Sequence, residues 1–368
     1  MTGTPERATC RIDLAAVRHN AGVLARAAGR AELVAVVKAD GYGHGAPQCA
    51  RAALEGGATR LAVATVGELE ELRAAAVDAP ALVLGPLTGG EWARVAAAGG
   101  DAAAWNPEGV AAARAAGIRG VHLKLDTGMG RLGARPDEID GLVAEASRDP
   151  GRVAGLMTHF ASADEREGPN AGFTREQAVR FRRITAHLAA AFPGALRHAA
   201  NSAATLRDPE LAFDAVRCGI ALYGCCPFGG DPADHGLRPA MTITSRLASI
   251  KTLRSRDSAG YGRTWRAPRG TRVAVVPLGY ADGYTRALGN RACVLAGGRR
   301  VPVVGAVSMD QITVDLGPES TDAVDDPVVV MGVMGGERVL AEELAHLSGT
   351  INYEVTCGIA ARVTRVYD

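Results

Sequence analysis

The chain has 368 residues, 41 Lys and Arg against 40 Asp and Glu, a formal charge of +1 and 47% apolar residues. This balance excludes a mostly disordered chain, and the near-zero charge gives no electrostatic case for nucleic acid or an acidic membrane surface. No basic segment followed by an apolar run opens the sequence, and Arg interrupts every Ala-rich run before ~18 uncharged residues accumulate, so a cytoplasmic protein without a membrane span is expected.

From about residue 33 to 222, short apolar runs alternate with Ala-rich segments. The runs are LVAVVK (33–38), RLAVATV (60–66), PALVLG (80–85), DAAAW (101–105), GVHLKLD (120–126), RVAGLMTHF (152–160), LRHAANS (196–202) and AVRCGIALYG (215–224). Between them, stretches such as VGELEELRAAA (66–76) and TREQAVRFRRITAHLAAAF (174–192) place apolar residues at i, i+3, i+4, with Glu early and Arg late, as helices prefer. Strand and helix repeated about eight times predicts a (β/α)8 TIM-like barrel. A doubly wound open sheet is the alternative, weakened because no Gly-x-Gly-x-x-Gly follows the first strand.

After about residue 236 the pattern changes to β-rich runs separated by Gly, Pro and Asp, from ITSRLASIKTL (243–253) to GIAARVTRVY (358–367). Only AEELAHLSG (341–349) reads as helical, and PFGGDPADHGLRP (227–239) reads as a linker. The expected organisation is a barrel over 1–235 and a mainly β domain over 236–368.

The seven cysteines are scattered, odd in number and without a Cys-x-x-Cys pair, and the eight histidines form no close cluster, so neither a disulfide framework nor a metal site is expected. Lysine occurs only at 38, 124 and 251, with Arg at every other basic position. An amine can lose its proton near neutral pH and form a Schiff base with a carbonyl, and a guanidinium cannot. Barrel active sites lie at the C-terminal strand ends. Lys38 ends the first strand, Lys124 and Asp126 the fifth with Arg131 just beyond, His159 the sixth, Asn201 and Ser202 the seventh, and Arg217 and Gly219 the eighth. Each alone has a bland reading as a turn, cap or satisfied core residue; five strand ends sharing one face favour a site. An amine at the first strand and phosphate donors at the last two suit a phosphorylated aldehyde such as pyridoxal phosphate, and sugar-phosphate aldolase chemistry fits the same outline.

AVVKADGYGHG resembles the cofactor-lysine motif of alanine racemases. KLDTGMGRLG, THFASAD, ANSAA, VRCGIALYG, SAGYGRTW, SMDQITVD and NYEVTCGIAARVTRVY follow in that family's order, from residue 33 to the last. The resemblance implies a pyridoxal 5'-phosphate enzyme interconverting L-alanine and D-alanine for bacterial peptidoglycan, with a barrel, a β domain and a homodimer whose active sites are shared. It implies that Lys38 holds the cofactor and serves as one base, with Tyr261 as the other. It assigns Tyr42, Ser202, Gly219, Ile220 and Tyr353 to the phosphate, Arg217 to the pyridine nitrogen and His159 to a place beside the ring. It assigns Arg131 and Met309 to the substrate carboxylate, Asp310 to the neighbourhood of the second base, and Lys124 to a carbamylation position paired with Arg131. Ser308 stands where Cys is common, and Cys225–Cys226 where other apolar residues are expected. Lys251 reads as a surface residue. The alternatives are a racemase of serine or other small amino acids, a related decarboxylase, and a non-catalytic pyridoxal-phosphate carrier.

Overall fold

The structure is a computed structural model that describes residues 7–368. It divides into two compact units: one comprises Val17–Leu222 and His235–Leu237, the other the described residues up to Ala16, Tyr223–Asp234 and Arg238–Asp368.

In the first unit, eight strands close into a parallel barrel: β2 (Glu32–Val36), β3 (Arg60–Val63), β4 (Ala81–Val83), β5 (Asp101–Ala104), β6 (Val121–Lys124), β7 (Val153–Met157), β8 (Leu196–His198) and β9 (Ala215–Cys218), with β9 pairing back onto β2. All eight fall on the apolar runs read from the sequence. Barrel strands are covered on both faces, which is why most of them read as near-continuous apolar runs rather than alternating ones. Closure excludes the open doubly wound sheet. Because every strand is parallel, all C-terminal ends emerge at one rim.

The helices between strands are capped as the sequence predicts. Thr65 accepts from the Glu68 backbone N–H at 3.3 Å while the Glu68 carboxylate accepts from the Thr65 N–H at 3.0 Å, a reciprocal box that starts helix Val66–Ala74. Asn106 caps Pro107–Ala116 through the Gly109 N–H, and Gly117 ends it in the left-handed conformation that glycine adopts without cost.

The second unit is mainly β. Its larger sheet runs in the order β16 (Arg299–Pro302), β15 (Cys293–Ala296), β18 (Pro327–Met334), β10 (Met241–Arg246), β1 (Thr9–Ile12), β20 (Thr364–Tyr367), with β19 (Glu337–Val339) on β18. A second sheet joins β11 (Ser249–Leu253), β14 (Thr271–Val276) and β17 (Ile312–Gly317), and β12 (Ser258–Ala259) pairs with β13 (Trp265–Arg266). Buried and part-exposed residues alternate along β10 and β17, as in a sheet with one covered face. Lys251 is exposed on β11.

Three features differ from the sequence expectation. The barrel does not begin at the first residues: β1 pairs antiparallel with β10 and parallel with β20, so this strand belongs to the β unit. The segment 227–239 is not a free linker. Just before it, the Cys226 N–H donates to Glu342 Oε1 at 2.8 Å, and within it Asp231 is ion-paired with Arg338, so its first part belongs to the β unit. A second helix, Asn352–Cys357, follows the expected one at Ala341–Ser348. Its six residues include β-branched Val and Thr, and its start is held by the Asn352 side chain, which donates to the Cys226 carbonyl at 2.8 Å and to Glu342 at 2.9 Å. Tertiary contacts override weak helical propensity here. All seven cysteines are free. Among the described residues, no helix is long and apolar enough to cross a membrane, and no group of three His, Cys, Asp or Glu is placed to hold a metal.

Candidate active site

The chain leaves β2 at Lys38 through an unusual turn. Ala39, Asp40, Gly41 and Tyr42 all have φ between 51° and 61° and ψ between 38° and 51°, four successive residues of left-handed helix, three of them with side chains. Each such residue costs roughly 1–2 kcal/mol, so the surroundings must hold the turn. Glu68 does so from helix Val66–Ala74, after β3, accepting the Ala39 N–H at 2.7 Å, and Asp40 accepts the Ala46 N–H at 2.9 Å. The result fixes Lys38 at the rim and buries Tyr42.

Tyr42 lies against Gly219, beyond the end of β9. A Cβ at Gly219 would stand 2.2 Å from the Tyr42 hydroxyl, so only glycine fits. The Gly219 N–H donates to Ser202 Oγ at 3.0 Å and the Ala221 N–H to the same atom at 3.3 Å. Ser202 begins helix Ser202–Arg207, capped by Asn201, and Ile220 opens a 3-10 turn. Two hydroxyls and backbone N–H groups thus meet beyond the seventh and eighth strands in a space that a side chain on Gly219 would fill, a donor set that fits a phosphate.

Arg217, on β9, is buried. One Nη donates to His198 Nδ1 at 2.7 Å and the His198 carbonyl at 2.9 Å; the other reaches the Thr158 carbonyl at 2.7 Å, His159 Nδ1 at 3.1 Å and the Ala199 carbonyl at 3.2 Å. Burial lowers its pKa to about 10, which leaves it charged at neutral pH. Lys124, buried at the end of β6, is lowered to about 8 by burial and then by the charges of Arg217 and Arg131. His159, half-buried, is held well below the usual imidazole range by burial, then by Arg217, Arg131, Lys124 and Lys38. Lys38, Tyr42, Lys124, Arg131, His159, Ser202, Arg217, Gly219 and Ile220 therefore share one rim. Asp126 faces its own loop, accepting N–H groups from Gly128, Met129 and Gly130.

The remaining expected residues lie in the β unit. Tyr261 stands on a tight turn between Gly260 and Gly262, both at φ 71°, and is 73% exposed. Met309, 53% exposed, sits in a loop whose Ser308 and Met309 carbonyls accept N–H groups from Tyr280 and Ala281, each at 3.0 Å. Asp310 is engaged by Arg362 at 2.8 Å and Arg7 at 3.5 Å, both of which also hold Asp282. Tyr353, half-buried, lies in the helix Asn352–Cys357.

Comparison with known proteins gives the family. Residues 12–227 match the alanine racemase N-terminal domain family and residues 240–367 the alanine racemase C-terminal domain family. The chain belongs to the alanine racemase family. An alanine racemase of Symbiobacterium thermophilum is 46% identical over 97% of this chain and 96% of its own length, and one of Mycobacterium tuberculosis is 41% identical over 98% and 96%. The crystal structure of alanine racemase from D-cycloserine-producing Streptomyces lavendulae superposes with a TM-score of 0.93 at 40% identity, covering 100% of this chain and 98% of that one. A Bacillus anthracis alanine racemase with bound L-Ala-P superposes at 0.87, with 34% identity over 100% and 96%. Relative to other racemases of this family, then, the chain is similar along nearly its whole length.

Several side chains that brace this rim are not singled out by the sequence. Glu68 braces the Lys38 turn. Gln177, fully buried on helix Phe173–Leu188, joins the loops after β6 and β7 by donating to Thr127 Oγ1 at 3.2 Å and the His159 carbonyl at 3.0 Å. His198 and His122 lie beneath Arg217. One signal was available: His122 precedes Lys124 by two on a strand and so shares its face.

Proposed function

We propose that the protein interconverts L- and D-alanine with pyridoxal 5'-phosphate held at the C-terminal rim of the barrel. The observation that carries this reading is the placement of an amine (Lys38), a buried permanent cation (Arg217) and a phosphate-type donor set (Ser202, Gly219, Tyr42) at strand ends of one barrel. Ser202, Tyr42 and the backbone around Gly219 and Ile220 would hold the phosphate, with Tyr353 as a further ligand, and Lys38 would hold the aldehyde. Bound there, the cofactor supplies an electron sink for the pair left when a proton leaves the amino acid's α-carbon.

The chain's own residues do the rest. Lys38 takes or returns the proton on one face and Tyr261 on the other. Arg131 and Met309 hold the carboxylate, and Asp310 lies beside the second base. Arg217 would face the ring nitrogen as a donor and, already fully protonated, could not accept a proton from it. His159, kept neutral, borders the ring. In a homodimer each site would draw Tyr261 from the second copy. Acting in the cytoplasm, the enzyme would supply D-alanine for peptidoglycan.

The test is the appearance of D-amino acids from a panel of L-amino acids, with Lys38→Ala as control. D-Alanine should form fastest, and the control should lose both the cofactor's visible absorbance and the activity. Faster racemisation of serine than of alanine would redirect the substrate assignment, and a control that stays yellow after free cofactor is removed would overturn the role of Lys38.

A further inference from the structure

Beneath Arg217 the barrel interior carries a line of polar side chains that the reaction above does not use. His198 Nδ1 meets Arg217 Nη1 at 2.7 Å, and His198 Nε2 meets His122 Nδ1 at 2.7 Å. His122 Nε2 is buried, has no hydrogen-bond partner, and faces Asp101 Oδ2 at 3.6 Å. Asp101 is the first residue of β5 and so lies at the opposite end of the barrel from the rim; its carboxylate is 3.9 Å from Arg60, the first residue of β3. Arg60, Asp101, His122 and His198 line a small cavity there.

The space for this line is made by two glycines. A Cβ on Gly155, in β7, would stand 2.2 Å from His122 Nδ1 and 3.0 Å from His198 Nε2. A Cβ on Gly120 would stand 2.1 Å from Asp101 Oδ1. Alanine at either position would break the line.

Elementary donor and acceptor rules fix its direction. A guanidinium only donates, so His198 Nδ1 accepts and the proton of that neutral ring sits on Nε2. That N–H donates to His122 Nδ1, which places the His122 proton on Nε2, aimed at a carboxylate that only accepts. Burial, then the charges of Arg217, His122 and Arg60, keep His198 neutral. The hydrogen-bond partners of Arg217 itself are carbonyls and imidazole nitrogens, none of them anionic.

We propose that Asp101 and His122 are positioning residues for Arg217, orienting every N–H along the barrel interior away from the rim and so holding the guanidinium in one pose as a donor to the site. The bearing on catalysis rests on the proposed function; the direction of the line does not. An aligned chain of this kind polarises along its length and stiffens each member. Replacing the accept-only carboxylate by an amide lets the line reverse only at the expense of the Arg217–His198 hydrogen bond: an amide that donates to His122 Nε2 leaves the proton on His198 Nδ1, facing the guanidinium, which must then turn away from its pose.

The experiment is 15N NMR of histidine-labelled enzyme as purified, with the two rings assigned by their loss in His122→Gln and His198→Gln, combined with steady-state kinetics. In the parent both rings should show Nε2–H and bare Nδ1 nitrogens. In Asp101→Asn both should shift toward the Nδ1–H form, with kcat down roughly ten-fold, the scale at which outer residues that orient a reactive group act, and KM unchanged. A parent spectrum with Nδ1–H on either ring overturns the proposal without any variant. So does an Asp101→Asn protein with both rings unmoved, or one with reversed rings and the parent's kcat. The stated tautomers in a protein that racemises nothing would instead overturn the proposed function and leave the line standing.

Discussion

At the residue scale, the site concentrates positive charge. Lys38, Lys124, Arg131 and Arg217 surround His159, and the consequence falls most clearly on Lys124, lowered to about 8. A carbamate forms from carbon dioxide and a neutral amine. The neutral fraction of Lys124 grows as pH rises through about 8, rather than near the ordinary lysine value of ~10.4. With 13C-labelled bicarbonate, a carbamate carbonyl resonance should grow between pH 7 and 9 and be absent from Lys124→Ala. A signal that persists in that variant would place the carbamate elsewhere. The sequence made Lys38, Lys124 and Arg217 legible because each is a rare or charged residue at a strand end. It hid Glu68, Gln177 and the two histidines, since a polar residue on a buried face shows its partner only when the fold supplies it.

At the element scale, the left-handed turn after β2 separates cheap substitutions from costly ones. Ala39 is exposed, so its replacement tests backbone conformation with little change in packing. A β-branched side chain disfavours positive φ, so Ala39→Val should lower unfolding free energy by about 1–2 kcal/mol, while Ala39→Gly should stay within about 1 kcal/mol of the parent. Urea denaturation of the three proteins in the same cofactor state checks this, and a valine variant as stable as the parent would show that the turn adapts. Most barrel strands could be read from the sequence because they are near-continuous apolar runs, and β8, with its Arg and His, because it keeps its place in the alternation of strands and helices. β1 could not: it stands before the alternation begins, and its antiparallel partner lies more than two hundred positions away. The helix carrying Tyr353 was hidden for a related reason, its start being held by contacts to Cys226 and Glu342.

At the scale of the whole molecule, exposure of Tyr261 and Met309 in the single chain accords with the proposal that each site is completed by a second copy. Mixing Lys38→Ala with Tyr261→Phe under conditions that exchange subunits tests this. About half of random dimers are hybrids, and each hybrid has one site with both lesions and one with neither, so roughly a quarter of all sites should recover full chemistry. Hybrids confirmed by tagged pull-down but inactive would place Tyr261 in the site of its own chain.

The sheet position of β1 also constrains how the molecule is made. β1 lies between β10 and β20, and β20 joins the sheet through β1. During synthesis, residues 9–12 leave the ribosome before any barrel strand and wait through more than two hundred further residues for β10, and through more than a hundred beyond that for β20. The barrel can close in the interval, since all its strands precede residue 219. The β unit must therefore be completed around a strand already tethered to a folded neighbour, and a fragment beginning at residue 236 would lack the strand that anchors its last one.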